Sequence, residues 1–208
     1  MDIFDILGPV MVGPSSSHTA GAARIGAMAR TLLGEEVADA KLHLYGSFAE
    51  TGKGHGTDRA LVAGLLGMKP DDLRIPNAFE EAKKAGLRYT IDEIDLRDAH
   101  PNTAVLELTG KGGRALTVQA SSLGGGRIMV NKLDGIEVNF TGESNTLVVR
   151  NQDEHFEPAA RERGKYERPP PQARRRRAHG HRDRPAHQAQ AGGVHLRAAR
   201  YSGCDILR

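Results

Sequence analysis

Residues Gly13 to Thr19 read Gly-Pro-Ser-Ser-Ser-His-Thr, which sets three hydroxyls and an imidazole directly ahead of a segment with helical periodicity. Exposed amides at a helix start carry partial positive charge, and serine hydroxyls beside them add adjustable donors. A carboxylate or phosphate could dock there against Ser15, Ser16, Ser17, His18 and Thr19. Gly21, Ala22 and Ala23 would keep side chains out of its way. The same residues also allow a plainer reading, in which a serine caps the helix and His18 fills space.

A second run, Lys53-Gly54-His55-Gly56-Thr57-Asp58, flanks a histidine with glycine on both sides. Such an imidazole can reach into a cleft with backbone amides beside it, and histidine is the side chain type most often used for proton transfer. Asp58 is close enough in sequence to orient or charge-balance it, and a histidine on a surface loop is the alternative. A third run, Ser121-Ser122-Leu123-Gly124-Gly125-Gly126, permits a positive-φ turn or a close approach of backbone to a ligand, or serves as an ordinary flexible hairpin. His43 and His100 stand apart and do not form a metal set. The single cysteine, Cys204, excludes an intramolecular disulfide and any cysteine-rich metal site built by this chain alone.

These residues need elements to position them. Ala20 to Leu33 repeats Ile25, Met28, Ala29, Leu32 and Leu33 at helical spacing and ends at Gly34, a suitable C-terminal cap. AKLHLYGSF alternates as a strand does and runs into ETGKGHGTDRA, which reads as a glycine-rich loop. Thr57 and Asp58 are placed to cap a helix over Arg59 to Leu66, and a more polar helix comes next from Ala78 to Lys84, ended by Gly86. LRYTIDEI, TAVLELTG, RALTVQAS, RIMVNKL and IEVNFTG then read as strands, with Asp134-Gly135 as a hairpin turn. Early helices and a later meander predict an α+β fold, helices packed on a mostly antiparallel sheet.

The 208 residues leave room for one or two domains and a sizeable core, yet aromatics are only 4% and mean hydropathy is −0.47. The dilution lies at the end. The main domain is expected over residues 1–144, and 145–151 read as one further strand. Residues 152–208, rich in Arg, Pro, Ala and His, show no helical or strand period and are expected to be a disordered basic tail. Most of the positive charge sits there. RRRR at Arg174 to Arg177 could grip phosphates without sequence preference, but no aromatics interleave with it and nucleic acid is not the expected partner. No apolar run reaches bilayer length, and the N-terminal stretch carries acidic residues ahead of its apolar ones. The expectation is neither signal peptide nor anchor, no membrane association, and a cytoplasmic address.

Taken in order, GPSSSHTAGAARIG, LYGSFAETGKGHGTDRALVAGLLG, HPNTAVLEL and SLGGGRI resemble the beta chain of the oxygen-sensitive, iron-sulfur L-serine dehydratases of bacteria. The resemblance covers roughly the first 150 residues, and its two signature loops are long and specific. It implies removal of water and ammonia from L-serine to give pyruvate. A [4Fe-4S] cluster, held by cysteines of an alpha chain, would act as Lewis acid on the hydroxyl. This chain would then be the smaller half of a two-chain enzyme, inactive alone and assembled in a homo- or hetero-oligomer.

Residue by residue, the resemblance makes His55 the base that takes the α-proton. It gives Ser15, Ser16, Ser17, His18 and Thr19 to the substrate carboxylate, and it lines the site with Gly54, Gly56, Thr57, Asp58, Gly124, Gly125 and Gly126. Beta chains of this family commonly continue into an ACT-type regulatory domain. NTLVV resembles the first strand of such a domain, and the residues after NQDE resemble a GC-rich gene read out of frame. The domain is also similar to the substrate-sensing domain of some phosphoglycerate dehydrogenases. A serine- or anion-sensing module without a catalytic role is therefore the alternative.

Overall fold

The computed structural model describes residues 9–144, 146–152 and 194–200. The Ser-rich run opens a single turn of π-helix, Ser16–Gly21, which passes without interruption into helix α1, Ala22–Leu33. Strand β1, Val37–Tyr45, leads to α2, Ser47–His55, and α3, Thr57–Leu65. A short 3₁₀ turn, Ile75–Asn77, precedes α4, Ala78–Ala85, which ends at Gly86 in the left-handed conformation, as its position in the sequence predicts. The remaining strands of the main sheet are β2 (Arg88–Glu93), β3 (Thr103–Gly110), β4 (Ala115–Gly124), β5 (Arg127–Leu133) and β6 (Ile136–Phe140).

Six strands form one sheet in the order β2-β1-β3-β4-β5-β6. All pairings are antiparallel except β1 with β2, whose parallel register needs the long crossover that α2, α3 and α4 supply. The expected α+β class holds, with helices against one face. Leu42, Leu44, Leu106, Leu108, Val118, Ala120, Ile128 and Val130 turn inward from the strands and meet Ile25, Ala29 and Leu33 of α1 and Leu61 and Leu65 of α3. The opposite face is polar: Lys41 pairs with Glu107, Arg88 with Asp39, and His43 hydrogen-bonds Asp92.

Asp134 and Gly135 form the expected hairpin turn, both at positive φ (48° and 80°), the pairing of angles that matches the twist of the flanking strands. A separate two-stranded sheet pairs β7, Thr146–Gln152, antiparallel with β8, Val194–Arg200. Strand β7 includes the expected strand residues from Thr146 on, and β8 falls within the segment expected to lack structure. Residues 153–193 and 201–208 of that segment lie outside the described residues.

Three local expectations need correction. The stretch ETGKGH is helix rather than loop, because Phe48 is fully buried and anchors α2 while Thr51 back-bonds from its hydroxyl to the Ser47 carbonyl at 2.8 Å. Tertiary anchoring outweighs the poor helix propensity of Gly52 and Gly54, roughly 1 kcal/mol each. Thr57 and Asp58 do not cap α3: Gly56, left-handed at φ 71°, occupies that position, and the Asp58 carboxylate accepts instead from the Arg59 amide at 2.8 Å.

The small residues of α1 do not form an open floor for a ligand either. Ala22, Ala23 and Gly26 pack inside the chain. A methyl group on Gly26 would lie 2.3 Å from the Leu61 carbonyl oxygen, and one on Gly64 would lie 2.1 Å from that of Ala23. Helices α1 and α3 thus cross backbone to backbone.

Candidate functional site

The site forms where the π-turn, the C-terminal half of α2 and the β4–β5 turn converge. Ser15, in extended conformation, caps the π-turn by accepting from the His18 amide at 3.1 Å. The Ser15 carbonyl receives both the Thr19 amide (2.9 Å) and, more weakly, the Ala20 amide (3.4 Å), the wider ring that defines a π-turn. The amides and hydroxyls of Ser16 and Ser17 make no hydrogen bond among the described residues, and both residues are half-buried. They are the free donors that the sequence places there.

His18 is buried and heavily bonded. Its Nε2 lies 3.0 Å from Thr51 Oγ1, 3.2 Å from Ser47 Oγ and 3.4 Å from the Ser47 carbonyl oxygen, and its Nδ1 lies 3.4 Å from Ser15 Oγ. The ring meets Phe48 edge-on at 5.3 Å and His55 at 5.0 Å between centroids. Burial pushes the His18 pKa below the ordinary imidazole value, the bond to the Ser47 carbonyl opposes this, and the nearby His55 adds to the lowering. His18 is therefore neutral at physiological pH.

His55 differs in every respect. It is the last residue of α2, it is exposed, and its imidazole makes no side-chain hydrogen bond among the described residues. Gly56 breaks the helix immediately after it and Gly54 leaves open space before it, so the ring stands clear at the rim. The His55 carbonyl accepts from the Thr19 hydroxyl at 3.2 Å, tying the end of α2 to the π-turn. Asp58 does not partner the imidazole, since the left-handed Gly56 turns the chain into α3 between them.

The third run closes the other side. Gly124, Gly125 and Gly126 all adopt positive φ (89°, 60° and 75°), a succession that only glycine tolerates without strain. A methyl group on Gly124 would come 3.7 Å from Ser17 Oγ, which places this turn against the serine run. Ser121 and Ser122, expected in the turn, lie inside β4 and are buried. Ser122 donates to the Ser17 carbonyl at 3.0 Å, and a methyl group on Gly21 would collide with its hydroxyl at 2.1 Å.

Ser15 to Thr19, Gly54, His55, Gly56 and Gly124 to Gly126 are thus brought together. Thr57 is fully buried, its hydroxyl without a hydrogen-bond partner among the described residues, and the Asp58 carboxylate accepts from the Arg59 amide within α3, so neither hydrogen-bonds the imidazole. Reasoning from sequence misses Ser47 and Thr51, which orient His18, and Arg24, whose guanidinium donates to the Gly126 carbonyl at 2.8 Å. The signal for the first two is their i, i+4 spacing, hidden by the glycines that make the segment look like a loop.

The chain is an α+β domain in which the Ser16 and Ser17 amides and hydroxyls, unbonded among the described residues, share the π-turn with His18, whose ring meets the exposed His55. A family model described as serine dehydratase beta chain matches residues 1–99. The chain is 46% identical over 147 residues to the L-serine dehydratase beta chain of Peptoniphilus asaccharolyticus, covering 70% of this chain and 66% of that one. It is 45% identical over 151 residues to the probable L-serine dehydratase beta chain of Bacillus subtilis (strain 168), covering 73% and 68%. A 95-residue stretch is 42% identical to L-serine dehydratase 2 of Escherichia coli (strain K12), where it accounts for 20% of the longer protein. This chain belongs to the serine dehydratase beta chain family. It spans about two thirds of the length of the first two relatives.

Proposed function

We propose that the chain is the beta subunit of an L-serine ammonia-lyase, converting L-serine to pyruvate and ammonia at a site completed by a cysteine-bearing alpha subunit. The observation that carries this reading is an exposed, glycine-flanked His55 whose ring lies 5.0 Å from that of His18, in the same turn as Ser16 and Ser17, whose amides and hydroxyls make no hydrogen bond among the described residues. A module that only senses serine needs the donors but has no need of a proton acceptor.

The donor set of this chain does not fit a [4Fe-4S] cluster. Cys204 is its only cysteine, and no group of three metal-ligating side chains occurs among the described residues. The cluster belongs with the partner, and the steps assigned to this chain do not pass through it. In this reading the amides and hydroxyls of Ser16 and Ser17 hold the substrate carboxylate and stabilise charge that develops as the α-proton leaves. Unprotonated His55 takes that proton. Loss of water then leaves an enamine, whose imine tautomer is hydrolysed to pyruvate and ammonia. The buried His18 stays neutral and fixes the π-turn beneath the carboxylate.

The test is anaerobic pyruvate release by the assembled enzyme, wild type against His55→Ala. The expected result is loss of turnover by about 10²-fold or more, with the cluster still bound, the scale of a positioned acid–base group. Unchanged turnover in the variant removes His55 from the chemistry and favours the sensing module.

A further inference from the structure

The hydrogen bonds around His18 determine what Ser15 can offer a ligand. The Thr51 hydroxyl proton is used on the Ser47 carbonyl, so Thr51 Oγ1 can only accept from His18 Nε2, and the Ser47 carbonyl oxygen beside it can likewise only accept. The third neighbour, Ser47 Oγ at 3.2 Å, can turn to either role, but a bare Nε2 would set its lone pair against two groups that only accept, so Nε2 carries the proton of the neutral ring and Nδ1 is left as the acceptor. The donor within reach of Nδ1 is the Ser15 hydroxyl, 3.4 Å away. Ser15 Oγ meanwhile accepts from the His18 amide at 3.1 Å. Its one proton and one lone pair are committed inward, and the remaining lone pair is what half-buried Ser15 presents to the site.

The geometry points to Ser15 as the residue that reads the substrate's amino group: with its proton held by His18 Nδ1, its hydroxyl accepts from an ammonium and does not donate to a carboxylate. This rests on the serine-binding reading above and divides the serine run by chemistry. Ser16 and Ser17 supply donors to the carboxylate, and Ser15 supplies an acceptor to the group on the neighbouring carbon. The ligand class is then an α-amino acid rather than any small carboxylate or phosphate.

The discriminating probe is 3-hydroxypropanoate, which is L-serine without its amino group. In the anaerobic pyruvate assay of the assembled enzyme, KM for L-serine and the inhibition constant of 3-hydroxypropanoate are measured for wild type and Ser15→Ala. The expected result is about a 10- to 100-fold loss for L-serine, the scale of a hydrogen bond to a charged group, with 3-hydroxypropanoate changed by less than about 2-fold. Equal losses for both ligands, or no loss for either, overturn the proposal.

Where Ser15→Ala gives no turnover, equilibrium dialysis with the two labelled ligands supplies the same comparison. Ser15→Asp keeps an acceptor for the His18 amide and so guards against a misfolded turn. It is expected to raise the preference for L-serine over 3-hydroxypropanoate, and an unchanged preference counts against the assignment. A wild-type assembly that neither binds nor turns over L-serine overturns the underlying reading, whereas one that binds L-serine but responds equally to both probes overturns only the role of Ser15.

Discussion

At the scale of single residues, two histidines whose rings lie 5.0 Å apart have different surroundings, His18 buried and His55 exposed. His18 is enclosed by Phe48, Ser47 and Thr51, and its pKa is lowered chiefly by burial. Below pH 6.5 the unfolded chain takes up a proton that the folded chain refuses until its own lower pKa is reached. The stability that His18 contributes is therefore fully present above the ordinary imidazole value and is lost as pH falls toward the folded one. Urea melts at about pH 7.5 and about pH 5.5 are expected to show a drop in the wild type that is smaller in His18→Asn. His55 could be chosen from the sequence because its glycine neighbours announce a ring that stands clear. The surroundings of His18 could not, because its partners arrive from α2, 29 and 33 residues away.

At the scale of elements, glycines with the same sequence appearance do opposite work. Gly64 sits where α3 crosses α1, and Gly64→Ala is expected to destabilise the chain by about 1–3 kcal/mol in denaturant melts, since backbone must move to admit the methyl group. Gly54 lies in α2 with open space where a methyl group would go, and Gly54→Ala is expected to stabilise the chain by about 0.5–1 kcal/mol and raise Tm. The strands were legible because alternation is a local property: β3 and β5 begin and end where the pattern predicts. Helix α2 was not, because it is held by the burial of Phe48 and by its contact with His18, and neither leaves a periodic trace in TGKGHG. The parallel pairing of β1 with β2 was hidden for the same reason, as nothing local to either strand records its direction relative to the other.

At the scale of the whole molecule, the helix-covered sheet is held by one continuous apolar cluster that runs from Ala22 of α1 to Phe140 of β6. On the proposed reading, in which the partner holds an oxygen-sensitive cluster, air is expected to abolish pyruvate release by the assembled enzyme, while the isolated chain, measured separately, keeps its helical circular dichroism and urea midpoint in air. No helix among the described residues is long and apolar enough to cross a membrane.

The rim that carries the site is tied together across the chain's length. Ser122 reaches Ser17 over 105 residues and Arg24 reaches Gly126 over 102, whereas α2 and α3 adjoin in sequence. Contacts of long sequence separation require closure of large loops before they reward the chain, so they form late. During refolding, the β4–β5 hairpin and its glycine turn can form locally, whereas their docking on the π-turn through Ser122 and Arg24 waits for closure of these loops. Competence to bind a ligand would be the last property the chain acquires and, under mild denaturation, the first it surrenders.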